Sequence, residues 1–108
     1  MPTKWPENFS GQNTSSYSIH LTWEPIEQPY RHGVILGYVI TYNSTMDTVA
    51  MTIRYLGNSN ISAELKGLHN YTDYDIKIAG FNSKGDGASI TIVVRTDESG
   101  IAKYYIYF

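Results

Sequence analysis

The chain contains no cysteine. That absence excludes disulfide staples, thiolate metal sites and cysteine nucleophiles together. It also bears on fold, because an immunoglobulin domain normally shows a Cys…Trp…Cys spacing and only the tryptophan is here. An excess of charge of one sign is lacking too. Eight Lys and Arg stand against ten Asp and Glu, for a net charge of -2 over 108 residues, and the two signs are interspersed. Nothing in that balance favours nucleic acid or an anionic membrane surface. No apolar run is long enough to span a bilayer. The Met1-Pro2-Thr3-Lys4 start leads into no apolar stretch of signal-peptide length. A secreted or membrane-anchored parent would therefore hold this chain as one piece of a longer protein. Amphipathic helix periodicity is missing as well.

What is present is strand chemistry. Tyr, Val, Ile and Thr are abundant and suit a pleated, half-buried surface. In residues 17–23, Ile19, Leu21 and Trp23 fall on one face, and Ser18, His20 and Thr22 on the other. Glu24-Pro25 stops that strand, since proline cannot donate to a ladder. A polar loop follows over 26–33, with Pro29 and Gly33 as turn residues. Residues 36–42 predict the next strand, with Tyr38, Ile40 and Tyr42 sharing a face. Residues 48–55 form a weaker strand, a turn follows at 57–60, and 61–65 alternates again. Residues 74–81 alternate most clearly: Tyr74, Ile76 and Ile78 point one way, Asp75 and Lys77 the other. A turn is expected at 82–87 and a last strand at 89–96. With a first strand within 7–13, the count is seven short strands separated by turns. Such a chain builds a single sandwich or barrel domain, and its length is enough for one two-layer core.

These residues carry a resemblance. The stretch Ile19-His20-Leu21-Thr22-Trp23-Glu24-Pro25, preceded by an early Pro6, is similar to the second strand of the fibronectin type III domain. Residues 32–42 look like its turn into the third strand. Leu68-His69-Asn70-Tyr71-Thr72-Asp73-Tyr74 resembles its Leu…Thr-x-Tyr element, and residues 79–87 its Ala-x-x-Asn…Gly-x-Gly turn. His69 departs from the pattern, where many relatives carry proline. The resemblance covers 5–97, leaving 1–4 as a leader and 98–108 as an aromatic C-terminal extension. It implies an all-β, seven-stranded antiparallel two-sheet sandwich of immunoglobulin-like topology. Trp23, Tyr38, Leu68 and Tyr74 would form its structural core, with the Tyr74 hydroxyl bonded to upstream backbone. The function it implies is that of a non-catalytic, extracellular interaction or spacer module of a larger receptor or adhesion protein. An engineered binding scaffold of the same fold and an accessory domain of a secreted enzyme are the alternatives. The loops 26–33 and 83–87 have natural composition, which argues against the scaffold.

Candidate chemistry is sparse. Lys84-Gly85-Asp86 resembles the Arg-Gly-Asp tripeptide that this family presents to integrins, where an acidic tip completes a partner's metal shell. The Gly-x-Gly turn accounts for the same residues without a ligand. Five Asn-x-Ser/Thr sequons begin at Asn8, Asn13, Asn43, Asn60 and Asn70. They are expected at turns or strand ends, where N-glycosylation needs them. His20, His32 and His69 have no metal-binding spacing, and Asp73 and Asp75 are turned to solvent on either side of Tyr74. No nucleophile stands beside a partner base and no glycine loop cradles phosphate. No cofactor, metal, nucleic acid or membrane insertion is expected, and the protein partner is open. Residues 102–108 are β-prone and apolar, and are expected to pair with a sheet edge, in this chain or by self-association.

Overall fold

The computed structural model describes residues 2–27, 34–44, 49–57 and 61–97. Pro29, His32, Gly33, Asn60 and the 102–108 tail lie outside the described residues, and so do the expectations that rest on them. The strands are β1 Ser10–Ser15, β2 Ser18–Thr22, β3 Gly37–Ser44, β4 Met51–Leu56, β5 Ser62–Leu65, β6 Asp73–Asn82 and β7 Gly85–Arg95. They form two antiparallel sheets, β1-β2-β5 and β4-β3-β6-β7.

The sheets close on the faces that alternation selects. Ile19, Leu21 and Trp23 meet Tyr38, Ile40, Tyr74, Ile76 and Ile78, all buried in one cluster with Leu65 and Leu68. Within it Trp23 lies edge-on to Phe9 at 6.3 Å and to Tyr38 at 5.7 Å between ring centroids. Such edge contacts add to the area each ring removes from water.

Several strand boundaries differ from the sequence expectation, among them β3 at Gly37–Ser44 instead of 36–42 and β4 at Met51–Leu56 instead of 48–55, and two bear on the surfaces. The first strand lies at Ser10–Ser15, later than 7–13, and its register slips between Asn13 and Ser15. The last begins at Gly85 instead of residue 89. The Gly-x-Gly stretch reads as turn, but the turn consists of Ser83 and Lys84 alone, with Asn82 Oδ1 accepting from Lys84 N at 2.9 Å. Gly85 closes it at φ 132, a conformation open to glycine and rarely to other residues. Gly37 serves a different need: a Cβ there would run into the Tyr55 carbonyl on the paired strand.

Within the stretch read as a leader, Pro2 is buried. Its carbonyl accepts from Ala88 N at 3.2 Å, beside the irregularity in the β6–β7 ladder. Pro2 therefore lies at the start of β7. Asp97 lies at the other end, where its amide bonds the Ser15 carbonyl at 3.3 Å. These two poles, the turn pole and the Asp97 pole, organise the surfaces.

Candidate interaction surfaces

The outer face of the four-stranded sheet carries a charged clamp. Register puts Arg54, Val39, Ala79 and Ser89 in one row across β4, β3, β6 and β7. Arg54 reaches over the two inner strands. Its guanidinium lies 5.0 Å from the Phe81 ring centroid and donates to both oxygens of Asp86, at 2.9 and 3.1 Å. A bidentate fork of this kind fixes geometry as well as charge. The hydrogen bonds from Arg54 hold the Asp86 carboxyl below its ordinary value. Slight burial opposes this, and the charges of Arg54 and Lys77 add to it. The same bond raises Arg54. Beside the clamp is a shallow depression of about 280 Å³, lined by Val39 and Ala79 on the inner strands and by Lys77, Thr52 and Gly87 around them.

This arrangement decides where Lys84-Gly85-Asp86 stands. Only Lys84 lies in the turn, whereas Gly85 and Asp86 belong to β7, and Asp86 pairs with Phe81 in the ladder. The carboxylate that an integrin-type contact would use is engaged by Arg54.

At the Asp97 pole, the β5–β6 connection is tied down by two hydroxyls. The Tyr74 hydroxyl accepts from His69 N at 2.8 Å. Thr96, 1% exposed, accepts from Thr72 N at 2.9 Å through Oγ1 and donates to the His69 carbonyl at 2.7 Å. Backbone bonds from Thr96 N to the Thr72 carbonyl and from Tyr71 N to the Asp97 carbonyl, both 3.0 Å, complete the closure. Tyr71 is held at φ 47. Arg95 forks onto Asp73 at 2.7 and 3.0 Å while lying 5.0 Å from the centroid of the Tyr71 ring. The hydrogen bonds from Arg95 lower Asp73 and the pairing raises Arg95. Thr96 has no sequence signature, since a threonine at a strand end is unremarkable until its partners are known. The Arg54–Asp86 clamp was equally hidden.

The remaining sequence-derived residues scatter. Trp23, Tyr38, Leu68 and Tyr74 are buried in the core. Asn8 is exposed ahead of β1, with Nδ2 donating to Glu24 at 2.6 Å. Asn13 lies inside β1, not at its end, and its Nδ2 donates to the Arg95 carbonyl at 3.1 Å. Asn43 is half-buried near the end of β3, opposite Asp75. Asn70 is exposed on the β5–β6 connection. His20 faces Glu64 across β2 and β5 at 3.9 Å, and His69 contributes its backbone to the hydroxyl network of the Asp97 pole. Among the described residues no cluster of three or more His, Cys, Asp or Glu could hold a metal ion.

Comparison with known proteins places this geometry. The fibronectin type III domain family matches residues 4–96. The chain is similar to Protein sidekick-1 of Gallus gallus, 36% identical over 101 residues, covering 91% of this chain and 5% of that protein. It is similar to the Cell adhesion molecule DSCAM of Homo sapiens, 34% identical over 100 residues, covering 91% of this chain and 5% of that protein. The chain thus spans about one-twentieth of the length of these curated relatives. Among solved structures it is similar to the FN1-FN3 domains of chicken CNTN1, with a TM-score of 0.79 and 29% identity, covering 90% of this chain and 33% of that one.

Proposed function

Because the chain belongs to the fibronectin type III family, we propose that it is a non-catalytic extracellular module of a larger cell-surface adhesion protein or receptor, acting as a spacer and in protein–protein recognition. The observation that carries this reading is the position of the two poles. Pro2 sits against the start of β7 and Asp97 at its far end, so a longer chain would enter at one pole and leave at the other. Both outer sheet faces then stay clear for a partner, and a rigid two-sheet core holds them at a fixed separation. Two relatives support the setting: one is named as a cell adhesion molecule, and both are far longer than this chain.

The face of β4-β3-β6-β7 is the better recognition surface. It offers an arginine fixed over an aromatic ring beside a shallow depression in which Val39 and Ala79 are surrounded by polar side chains, and arginine and aromatic side chains are the types that dominate binding energy at interfaces. On the opposite face, a depression over β1 and β2 is lined by Ser10, Gln12, His20 and Thr22, with Glu64 of β5 beside His20.

An antibody against the domain, applied to intact cells that make the full-length parent, tests the setting. Labelling without permeabilisation is expected, and labelling only after permeabilisation refutes it. Deleting 5–97 from the parent tests the role. Adhesion or ligand capture should fall, and a deletion that spares both while removing an enzymatic activity refutes the non-catalytic reading.

A further inference from the structure

We propose that Asn70 is an N-glycan acceptor and that, of the four sequons whose asparagine is described, it is the one the folded domain is built to carry. The proposal rests on the extracellular reading above and adds to it a modification site. The sequons differ in what the fold does with each carboxamide. Asn13 Nδ2 donates to the Arg95 carbonyl at 3.1 Å, bridging the seam between β1 and β7. Asn13 is exposed, but a glycan on this Nδ2 would take one of its two N–H groups and stand against that seam. Asn43 is half-buried on the sheet face between β4 and β6, beside Asp75 and Lys77. A glycan there would cover the face that is free for recognition. Asn8 Nδ2 is held by the Glu24 carboxylate at 2.6 Å.

Asn70 is different. It is exposed on the β5–β6 connection, and its carboxamide makes no hydrogen bond among the described residues. Its backbone is nonetheless fixed. The Thr72 hydroxyl, the third residue of the same sequon, donates to the Asn70 carbonyl at 2.8 Å, and Thr72 is itself anchored by Thr96. The connection therefore presents a free amide from a rigid support, at a pole of the sandwich and off both sheet faces.

The chemistry also sets the timing. The Asn70 Nδ2 attacks the anomeric carbon of a polyprenyl-pyrophosphate-linked oligosaccharide. The carbon–oxygen bond to phosphate breaks, the carbon–nitrogen bond forms, Nδ2 gives up one proton, and the lipid pyrophosphate leaves with the bonding pair. A transferase that selects Ser or Thr must read the Thr72 hydroxyl. In the fold that hydroxyl is bonded to Asn70 and Thr72 is buried. Transfer therefore precedes folding, and the fold then has to tolerate what was attached.

The test is secretion of residues 1–108 from cultured animal cells behind an appended signal peptide. Glycans are removed with an amidase that converts each occupied Asn to Asp, and the peptides are mapped by mass. Conversion at Asn70 is expected in the majority of molecules and at Asn13 in few, and Asn70→Gln should remove the main mass shift. Asn70 left unconverted, or converted no more often than Asn13, overturns the proposal. Chain retained in the cell is mapped separately: because transfer precedes folding, Asn13 should be converted more often there than in the secreted chain, and equal Asn13 conversion in the two fractions also overturns the proposal. Because the signal is appended, the result at Asn70 does not depend on where the natural parent resides, which the antibody experiment decides separately.

Discussion

Thr96→Val isolates the hydroxyl that closes the Asp97 pole. Valine keeps the shape of threonine, so no cavity opens and the backbone bond from residue 96 to the Thr72 carbonyl survives. What disappears is Oγ1, which accepts from Thr72 N at 2.9 Å and donates to the His69 carbonyl at 2.7 Å. Thr96 is 1% exposed and Thr72 is 9% exposed, so water does not readily replace the lost partner of the Thr72 amide. A stranded buried donor costs about 1–3 kcal/mol, and loss of the second bond adds about 0.5–1.5 kcal/mol. The expected destabilisation is about 2–3 kcal/mol, a large share of the ~5–15 kcal/mol that holds a domain together. Urea unfolding followed by tryptophan fluorescence measures it, because Trp23 is 2% exposed and moves into water on unfolding. With a slope of about 1–1.5 kcal/mol per molar urea for a domain of this size, the midpoint should fall by roughly 2 M. Thr22→Val is the control: its hydroxyl meets Ser10 at 3.1 Å on an exposed face, and surface changes of this kind stay within about 0.5 kcal/mol. A Thr96→Val midpoint equal to that of the control would refute the reasoning.

Gly37→Ala should destabilise by about 3 kcal/mol, because its Cβ meets the Tyr55 carbonyl, a backbone atom that cannot swing aside; amide exchange confined to faster β3–β4 opening would identify the cause. Asp73 and Asp86 are both held below their ordinary carboxyl values by their arginine partners, so each binds protons more weakly folded than unfolded. Their contribution is therefore present above the ordinary carboxyl range and lost as pH falls through the folded values, and Asp73→Asn with Asp86→Asn should flatten the acid limb of a stability–pH curve measured in urea. Asp86→Ala tests the tripeptide in a solid-phase integrin assay: equal binding by both forms is the expected outcome, given that Arg54 already holds the carboxylate, and binding that only the parent domain shows would reverse that expectation.

Most of the fold can be read from period-2 alternation. One inward set on residues 19–23 and another on 74–78 define both sheets, and Trp23, the largest side chain of the first set, marks the space between them. Tyr74 is legible for the same reason: it belongs to an inward set and lies a few residues beyond a leucine that starts the connection. The start of β7 is not legible, because glycines at 85 and 87 signal a turn whether or not the ladder continues through them. Here Gly85 only closes the turn, and Gly87 leaves room for Pro2. Side-chain ties across the sheet are invisible for a deeper reason. Arg54 and Asp86 lie on the two edge strands of one sheet, and their meeting depends on register, twist and the local irregularity in the β6–β7 ladder together. The sequons are visible as patterns, but the difference between Asn13 and Asn70 lies in a backbone carbonyl contributed by another strand.

The positions of Pro2 and Asp97 also fix how the domain answers tension. Pulled from its two poles, β1 is drawn one way past β2 and β7 the opposite way past β6. Ladder hydrogen bonds in antiparallel pairs run across the strands, so the load falls on them in shear, and they must yield together instead of unzipping singly. β1 is held to β2 by five register pairs with a slip among them, and β7 to β6 by nine. Under force β1 is the fuse: it slides first, and Gly11 withdraws from beneath Val94 and Leu21, before the four-stranded sheet and its outer face are disturbed.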